Sequence, residues 1–246
     1  RDLVRSHGLG DVYKRQPYGN WGSRKSLMAS LDQSLVRMGL DYVDVFYSHR
    51  YDPETPLEET MQALVDIVRQ GKALYVGLSR YPADKAEEAY RYLEARDVHC
   101  LLYQGRYNLF DRAPEEEGIL GQARAYGVGF IAFSPLAQGL LTSRYLQGVP
   151  EDSRMAQGRF LKREVLTEAV LEKIKALDRV AAERGQTLAE MSLAWVLKDE
   201  LVTSVIIGAS SVAQLEDNLK ALRKVDFSRE ELDRIEAICH TPDGGQ

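Results

Sequence analysis

Apolar residues recur at helical spacing between positions 23 and 38, where Leu27, Leu31, Leu35 and Met38 would form one stripe. Gly39 then supplies a left-handed stop, and YVDVFY, positions 42–47, predicts a short strand. TPLEE, positions 55–59, offers Thr55 as N-cap, Pro56 at the first helical position and Glu58 to close a capping box. The helix it opens runs to about Gln70–Gly71. The pattern repeats along the chain: strand ALYVGLS, a helix opened by Pro82, strand CLLYQ, a helix near Ile119 to Tyr126, and strand GFIAFS. An irregular stretch from Pro135 to about Leu166 precedes amphipathic helices near Thr167–Glu183 and Leu188–Leu197. The strand TSVIIG, a capped helix from Ser211 and a last helix ending near Cys239 complete the series.

Five apolar strands joined by helices predict an α/β fold with a parallel sheet buried on its faces, either a doubly wound sheet or a barrel. None of the strands is followed by GxGxxG, and neither GxxxxGK[ST] nor GxSxG occurs, which weakens the doubly wound alternative. Both architectures collect reactive groups at strand C-terminal ends. The residues there are His49, Ser79, Arg80, Gln104, Ser134 and the Gly208-Ala209-Ser210 run. Alternation puts His49 on one strand face with Val45 and Tyr47, so it is either a hydrogen-bonded rim residue or a group that works on a substrate. Gln104 ends a strand with an amide that can donate and accept at once, as a carboxamide ligand requires. GASSVAQLEDN places small residues at a helix N-terminus, which suits a phosphate, although a plain turn with a capping box from Ser211 to Gln214 fits the same letters.

Composition removes several function classes. The 246 residues carry a formal net charge of -5, which gives no reason to expect nucleic acid or an anionic membrane as partner. Cys100 and Cys239 stand far apart with no CxxC or His/Cys cluster, so neither a disulfide framework nor a structural zinc is expected, and a reducing cytoplasm is the default. No apolar run approaches the roughly 18 residues of a membrane span, and RDLVRSHGLGDVYKRQ lacks the apolar core of a signal peptide.

Four segments together, SRKSLMASLDQSLVRMGLDYVDVFYSHRYDPETPLEETMQAL, GKALYVGLSRY, FSPLAQGLLTSRY and IIGASSVAQLEDNL, resemble the aldo-keto reductases. The likeness is greatest to the branch holding bacterial glyceraldehyde-3-phosphate reductases and potassium-channel β subunits, and it runs from about Pro17 to the C-terminus. It implies a (β/α)8 barrel with extra helices, of which this chain would hold roughly the last five βα units. It also implies NADPH-dependent reduction of small aldehydes or ketones, glyceraldehyde-3-phosphate-like or methylglyoxal-like, to alcohols. By resemblance His49 takes the catalytic histidine position, while Ser79, Arg80 and Gln104 hold the nicotinamide and Phe133 stacks on its ring. Ser134, Pro135, Leu136, Ala137 and Gln138 then follow the pyrophosphate, with Arg144 and Arg154 as basic clamps. Gly208, Ser210, Gln214, Asp217 and Asn218 match the adenosine end. Asp217 stands where a Glu is usual, and Ser211 where many relatives carry Arg, so a preference for NADPH over NADH rests on less here.

The family mechanism also uses a Tyr that protonates the carbonyl oxygen and a Lys and an Asp that tune it. Residues 1–16 resemble nothing in the family, and Tyr13 and Lys14 lie side by side in a polar segment that does not match those roles. The expectation is therefore a foreign leader over 1–16 on a partial barrel over 17–246, with little reductase activity of its own. The rival expectation is an NADP-binding regulatory subunit of the channel-β type. It is disfavoured because those subunits typically carry Asn where this chain has His49. Homo-oligomerisation of a full-length parent stays open.

Overall fold

The computed structural model describes residues 22–146 and 166–240. The leader and Arg154 lie outside them. The first helix, α1 (Arg24–Met38), begins at Ser23, whose hydroxyl accepts from the Ser26 N–H at 3.3 Å, and ends at Gly39 with φ 67°. It buries Leu27, Leu31 and Leu35, whereas Met38, in the last turn, is half-exposed. Strand β1 (Val43–Ser48) leads to α2 (Leu57–Arg69), strand β2 (Ala73–Ser79), α3 (Ala83–Glu94) and β3 (Cys100–Arg106). A four-residue α4 (Ala113–Glu116), α5 (Ile119–Ala125) and β4 (Gly129–Phe133) follow, then α6 (Glu168–Glu183), α7 (Leu188–Val196), β5 (Ser204–Ile206), α8 (Val212–Leu219) and α9 (Arg229–Cys239).

Two expected caps differ. Thr55 does not cap α2: the helix begins at Leu57, one residue later than expected, so Pro56 takes the N-cap position with no side-chain bond, and the Thr55 hydroxyl donates to Asp52 Oδ2 at 2.8 Å. At α8 the box is half made. Ser211 accepts from the Gln214 N–H at 3.2 Å, but Gln214 Oε1 reaches one residue further, to the Ser210 N–H at 2.8 Å.

The strands hydrogen-bond in the order β1-β2-β3-β4-β5, with β1–β2, β2–β3 and β4–β5 parallel. A doubly wound sheet reverses its strand order to place helices on both faces; strictly sequential order is the topology of a barrel wall, and it decides between the two predicted architectures.

The chain divides into two compact units, residues 1–105 with 117–130, and residues 106–116 with 131–246. In the first, α1 packs on α2, α2 on α3, and α3 on α5. Its core holds Met61, Leu64, Ile67, Val76, Leu78, Leu93 and Phe130, all fully buried. Each such side chain contributes about 1.5–3 kcal/mol by leaving water. Gly105 lets β3 press against the Phe130 ring, which stacks on Tyr103 with centroids 5.7 Å apart. In the second unit α6 packs on α7 and α9, and α7 on α8. Thr187–Glu190 and Ser228–Glu231 form complete capping boxes at α7 and α9. Trp195 lies 5.3 Å from the Tyr107 ring, with Lys198 Nζ 4.0 Å and the Arg112 guanidinium 5.0 Å from its centroid.

Candidate active site

Parallel strands pair residues so that neighbours share a face, and in the first unit this sets out one row of polar groups. Ser79 and Gln104 are Cα partners across β2 and β3, and Ser48 pairs with Leu78, so His49 continues β1 beside Ser79. The structure thus brings together His49, Ser79 and Gln104. It also corrects the setting of the histidine. β1 ends at Ser48, which is buried against the Tyr81 hydroxyl at 2.7 Å, and His49 is exposed just beyond it rather than in line with the core. Burial of part of its ring pushes the imidazole pKa below the usual value, and the neighbouring positive charges of Arg50 and Arg80 push the same way. At neutral pH the ring is therefore uncharged and offers one N–H and one lone pair.

Ser79 is buried at the end of β2, and Arg80 follows with φ 55°, in the left-handed region. Gln104 is half-buried and does not end its strand, since β3 continues to Arg106.

In the second unit Phe133 ends β4 half-buried, its carbonyl accepting from the Tyr107 N–H at 3.4 Å. Ser134 (φ 54°), Ala137 (φ 47°) and Gln138 (φ 59°) then occupy the left-handed region within five residues. The turn closes on itself: the Ala137 N–H donates to the Ser134 carbonyl at 2.9 Å and the Gly139 N–H to the Leu136 carbonyl at 2.8 Å, while Pro135 has no N–H to offer. Pro135 is buried, Leu136 is half-buried, and Gln138 Oε1 is a buried acceptor without a hydrogen-bond partner. Ser134, Ala137 and Gln138 line a cavity of about 640 Å³ that Arg106, Asn108 and Lys173 also face. Arg144 stands exposed in a single 3-10 turn, Ser143–Tyr145.

The expected adenosine end lies at the start of α8. Gly208, Ser210 and Gln214 are exposed, and Gln214 is committed to the Ser210 N–H and hydroxyl. Asp217 pairs with Lys220 at 2.6 Å, so its carboxylate already has a cation. Asn218 is buried, with a side-chain Nδ2 that has no hydrogen-bond partner.

Asn108 is a site residue that the sequence did not single out. Buried at 2% exposure, it donates from Nδ2 to the Ser134 carbonyl at 3.0 Å and accepts the N–H groups of Phe110 and Asp111, so it holds the turn that Ser134 opens. An Asn after an apolar strand was the available signal, but its partner lies 26 residues on.

Both thiols are pushed up by burial, Cys100 to about 12 and Cys239 to about 11, which leaves them neutral. Among the described residues no His/Cys/Asp/Glu group could hold a metal, and no helix is long and apolar enough to cross a membrane.

A sequential parallel sheet with polar residues at its strand ends and a left-handed turn after β4 defines a class, the α/β barrels that bind ligands at strand C-termini. The chain belongs to the Aldo/keto reductase family, whose sequence profile matches residues 12–240. It is 51% identical over 232 residues to an L-glyceraldehyde 3-phosphate reductase of Escherichia coli O157:H7, covering 93% of this chain and 66% of that protein. A probable voltage-gated potassium channel subunit beta of Oryza sativa subsp. japonica is 38% identical over 224 residues, covering 89% of this chain and 68% of that one. A solved structure of a thermostable aldo-keto reductase, Tm1743, with the inhibitor epalrestat matches at a TM-score of 0.67 and 30% identity, over 88% of this chain and 67% of that one. The chain thus spans about two thirds of the length of these relatives.

Proposed function

We propose that this chain carries the carbonyl-orienting and cofactor-holding parts of an NADPH-dependent reductase of small aldehydes or ketones, with substrates like glyceraldehyde 3-phosphate or methylglyoxal. The observation that carries the reading is that Ser79 and Gln104 pair across β2 and β3 while His49 follows directly on the end of β1, the strand beside them. A neutral His49 can donate its N–H to a carbonyl oxygen and fix its orientation, whereas a protonated ring would lack the lone pair through which a hydrogen-bonded water or hydroxyl sets the tautomer. Ser79 and Gln104 supply a hydroxyl and an amide on one face, the donor and acceptor pair that a carboxamide needs.

The residues present fit the dinucleotide. Ser134, Ala137 and Gln138 line a cavity, and the buried amide atoms of Gln138 and Asn218 without protein partners supply polar contacts. When bound, a reduced nicotinamide supplies the hydride for carbonyl reduction. The chain's residues bind and orient; the Tyr, Lys and Asp of the family's pattern are not among the residues that carry the resemblance. The 246-residue polypeptide is therefore expected to bind nucleotide with little turnover, because a missing general acid costs about 10²–10⁴-fold.

The test is fluorescence titration of the purified chain with NADPH and NADH, paired with an absorbance assay on glyceraldehyde 3-phosphate and methylglyoxal. Binding of NADPH that weakens in Gln104→Ala supports the reading. Absence of binding by either nucleotide would remove it, and turnover at the level of an intact reductase would refute the inactivity. NADH binding as tight as that of NADPH would assign the cofactor differently, consistent with Ser211 in place of a basic residue.

A further inference from the structure

Behind the row of His49, Ser79 and Gln104 lies a buried tyrosine arrangement that the proposed chemistry does not use. Tyr81 and Tyr103 are each 2% exposed. The Tyr103 hydroxyl accepts from the Tyr81 N–H at 3.1 Å and donates to the Tyr81 carbonyl at 2.7 Å, so one side-chain oxygen brackets both polar groups of a single residue. The Tyr81 hydroxyl in turn meets Ser48 Oγ at 2.7 Å, and its ring lies edge-on to Tyr51 with centroids 5.7 Å apart. The residue just before this bracket is Arg80, held at φ 55°. Its carbonyl accepts from the Tyr51 N–H at 3.5 Å, so the Arg80–Tyr81 peptide is held at both ends.

A left-handed conformation at a residue with a Cβ is unfavourable by about 1–2 kcal/mol and persists only where the surroundings impose it. Arg80 has no side-chain chemistry of the Asn or Asp kind to favour that region locally. The constraint must come from its neighbours, and the Tyr103 hydroxyl is the buried polar group that fixes the following peptide. Burial pushes the hydroxyls of Tyr81 and Tyr103 up to about 12, so both stay protonated across the physiological range and Tyr103 remains a donor.

We infer that Tyr103 is a positioning residue: its hydroxyl locks the Arg80–Tyr81 peptide, holds Arg80 in the left-handed conformation, and thereby sets the β2 exit at which a nicotinamide would be held. The part concerning affinity rests on the cofactor reading above; the part concerning backbone conformation stands without it.

The test is a cycle of Tyr103→Phe, Arg80→Gly and the double variant in the full 246-residue chain. Backbone chemical shifts at position 80, with and without NADPH, report the left-handed population, and fluorescence titration reports NADPH affinity. Tyr103→Phe keeps the ring that stacks on Phe130. It should abolish the left-handed signature of Arg80 and weaken NADPH binding about five-fold, the scale of one lost hydrogen bond. Glycine adopts positive φ freely, so adding Tyr103→Phe to Arg80→Gly should change affinity less than about two-fold. Phe130→Leu serves as a packing control, lowering the melting temperature while Arg80 keeps its left-handed signature. Retention of that signature in Tyr103→Phe would overturn the inference, as would an equal affinity loss on both backgrounds. Should the parent chain bind no NADPH, the cofactor reading fails and the chemical-shift arm alone decides the role of Tyr103.

Discussion

A methyl group at position 105 would lie 2.7 Å from Phe130 Cζ, and Phe130 is fully buried with its ring stacked on Tyr103. Gly105→Ala is therefore expected to destabilise the chain by about 1–3 kcal/mol, the range for overpacking a filled core. Thermal unfolding checks this, and an unchanged melting temperature would show that the ring can move. At His49 the prediction concerns protons. Its folded pKa is lowered, so below the unfolded value of 6.5 the unfolded chain binds more protons than the folded one. The histidine thus contributes a loss of stability that sets in as pH falls through 6.5 and grows until the folded ring also protonates. Titration of the His49 ring by NMR should give a pKa under 6.5, and His49→Gln should flatten the fall in stability on acidification. A measured pKa at or above 6.5 would contradict the assignment.

At the scale of elements, the start of α9 is tied to the end of α6. Arg184, the residue after α6, has a side chain only 1% exposed and pairs with Glu231 at 2.6 Å. It also donates to Gln186 and to the Asp226 carbonyl and lies 3.7 Å over the Phe227 ring. Nη1 faces the carboxylate without hydrogen-bond alignment, so there the pair is one of charge. Ser228→Ala removes one cap and should cost about 1 kcal/mol. Glu231→Ala also strips the buried guanidinium of its counter-charge and should cost more, roughly 2–3 kcal/mol, by denaturant unfolding. Burial raises the Glu231 carboxyl, but the Ser228 N–H and Arg184 outweigh it and hold the pKa below the usual range. Its stabilisation is present above the unfolded pKa and lost as pH falls through the folded one, so Glu231→Gln should blunt acid unfolding. Much of this level was legible in the letters. The four-residue steps of Leu27, Leu31 and Leu35, the stop at Gly39 and the helix starts at Thr167 and Ser211 are local signals, and each falls within a residue of the observed element. Thr55 misled because the helix starts one residue later, with Pro56 at the N-cap. The roles of Tyr103 and Asn108 were not legible at all, since their bonds join residues 22 and 26 positions apart and exist only once the sheet register is fixed.

For the whole molecule, the two ends of the sheet order are strands with no further strand beside them among the described residues, β1 in the first unit and β5 in the second. In the first unit Val36, Leu40, Tyr42, Leu74 and Tyr75 are exposed; in the second Ile206, Val212, Leu215, Leu219 and Leu222 are. Apolar groups near unpaired strand edges favour association. The purified chain is expected to bind a hydrophobic dye and to self-associate with concentration by sedimentation velocity, and Val212→Lys with Leu222→Lys should reduce both. A dye-silent monomer at high concentration would count against this. Trp195, enclosed by Tyr107, Arg112 and Lys198, has one more consequence, an optical one. The chain has two tryptophans, and the other, Trp21, lies outside the described residues. Trp21→Phe leaves a single emitter, shielded from water and rooted in the second unit, while the His49 ring signal belongs to the first. Light and magnetic resonance can then time the loss of each unit on one polypeptide, and the lag between the two signals measures how far they melt as one.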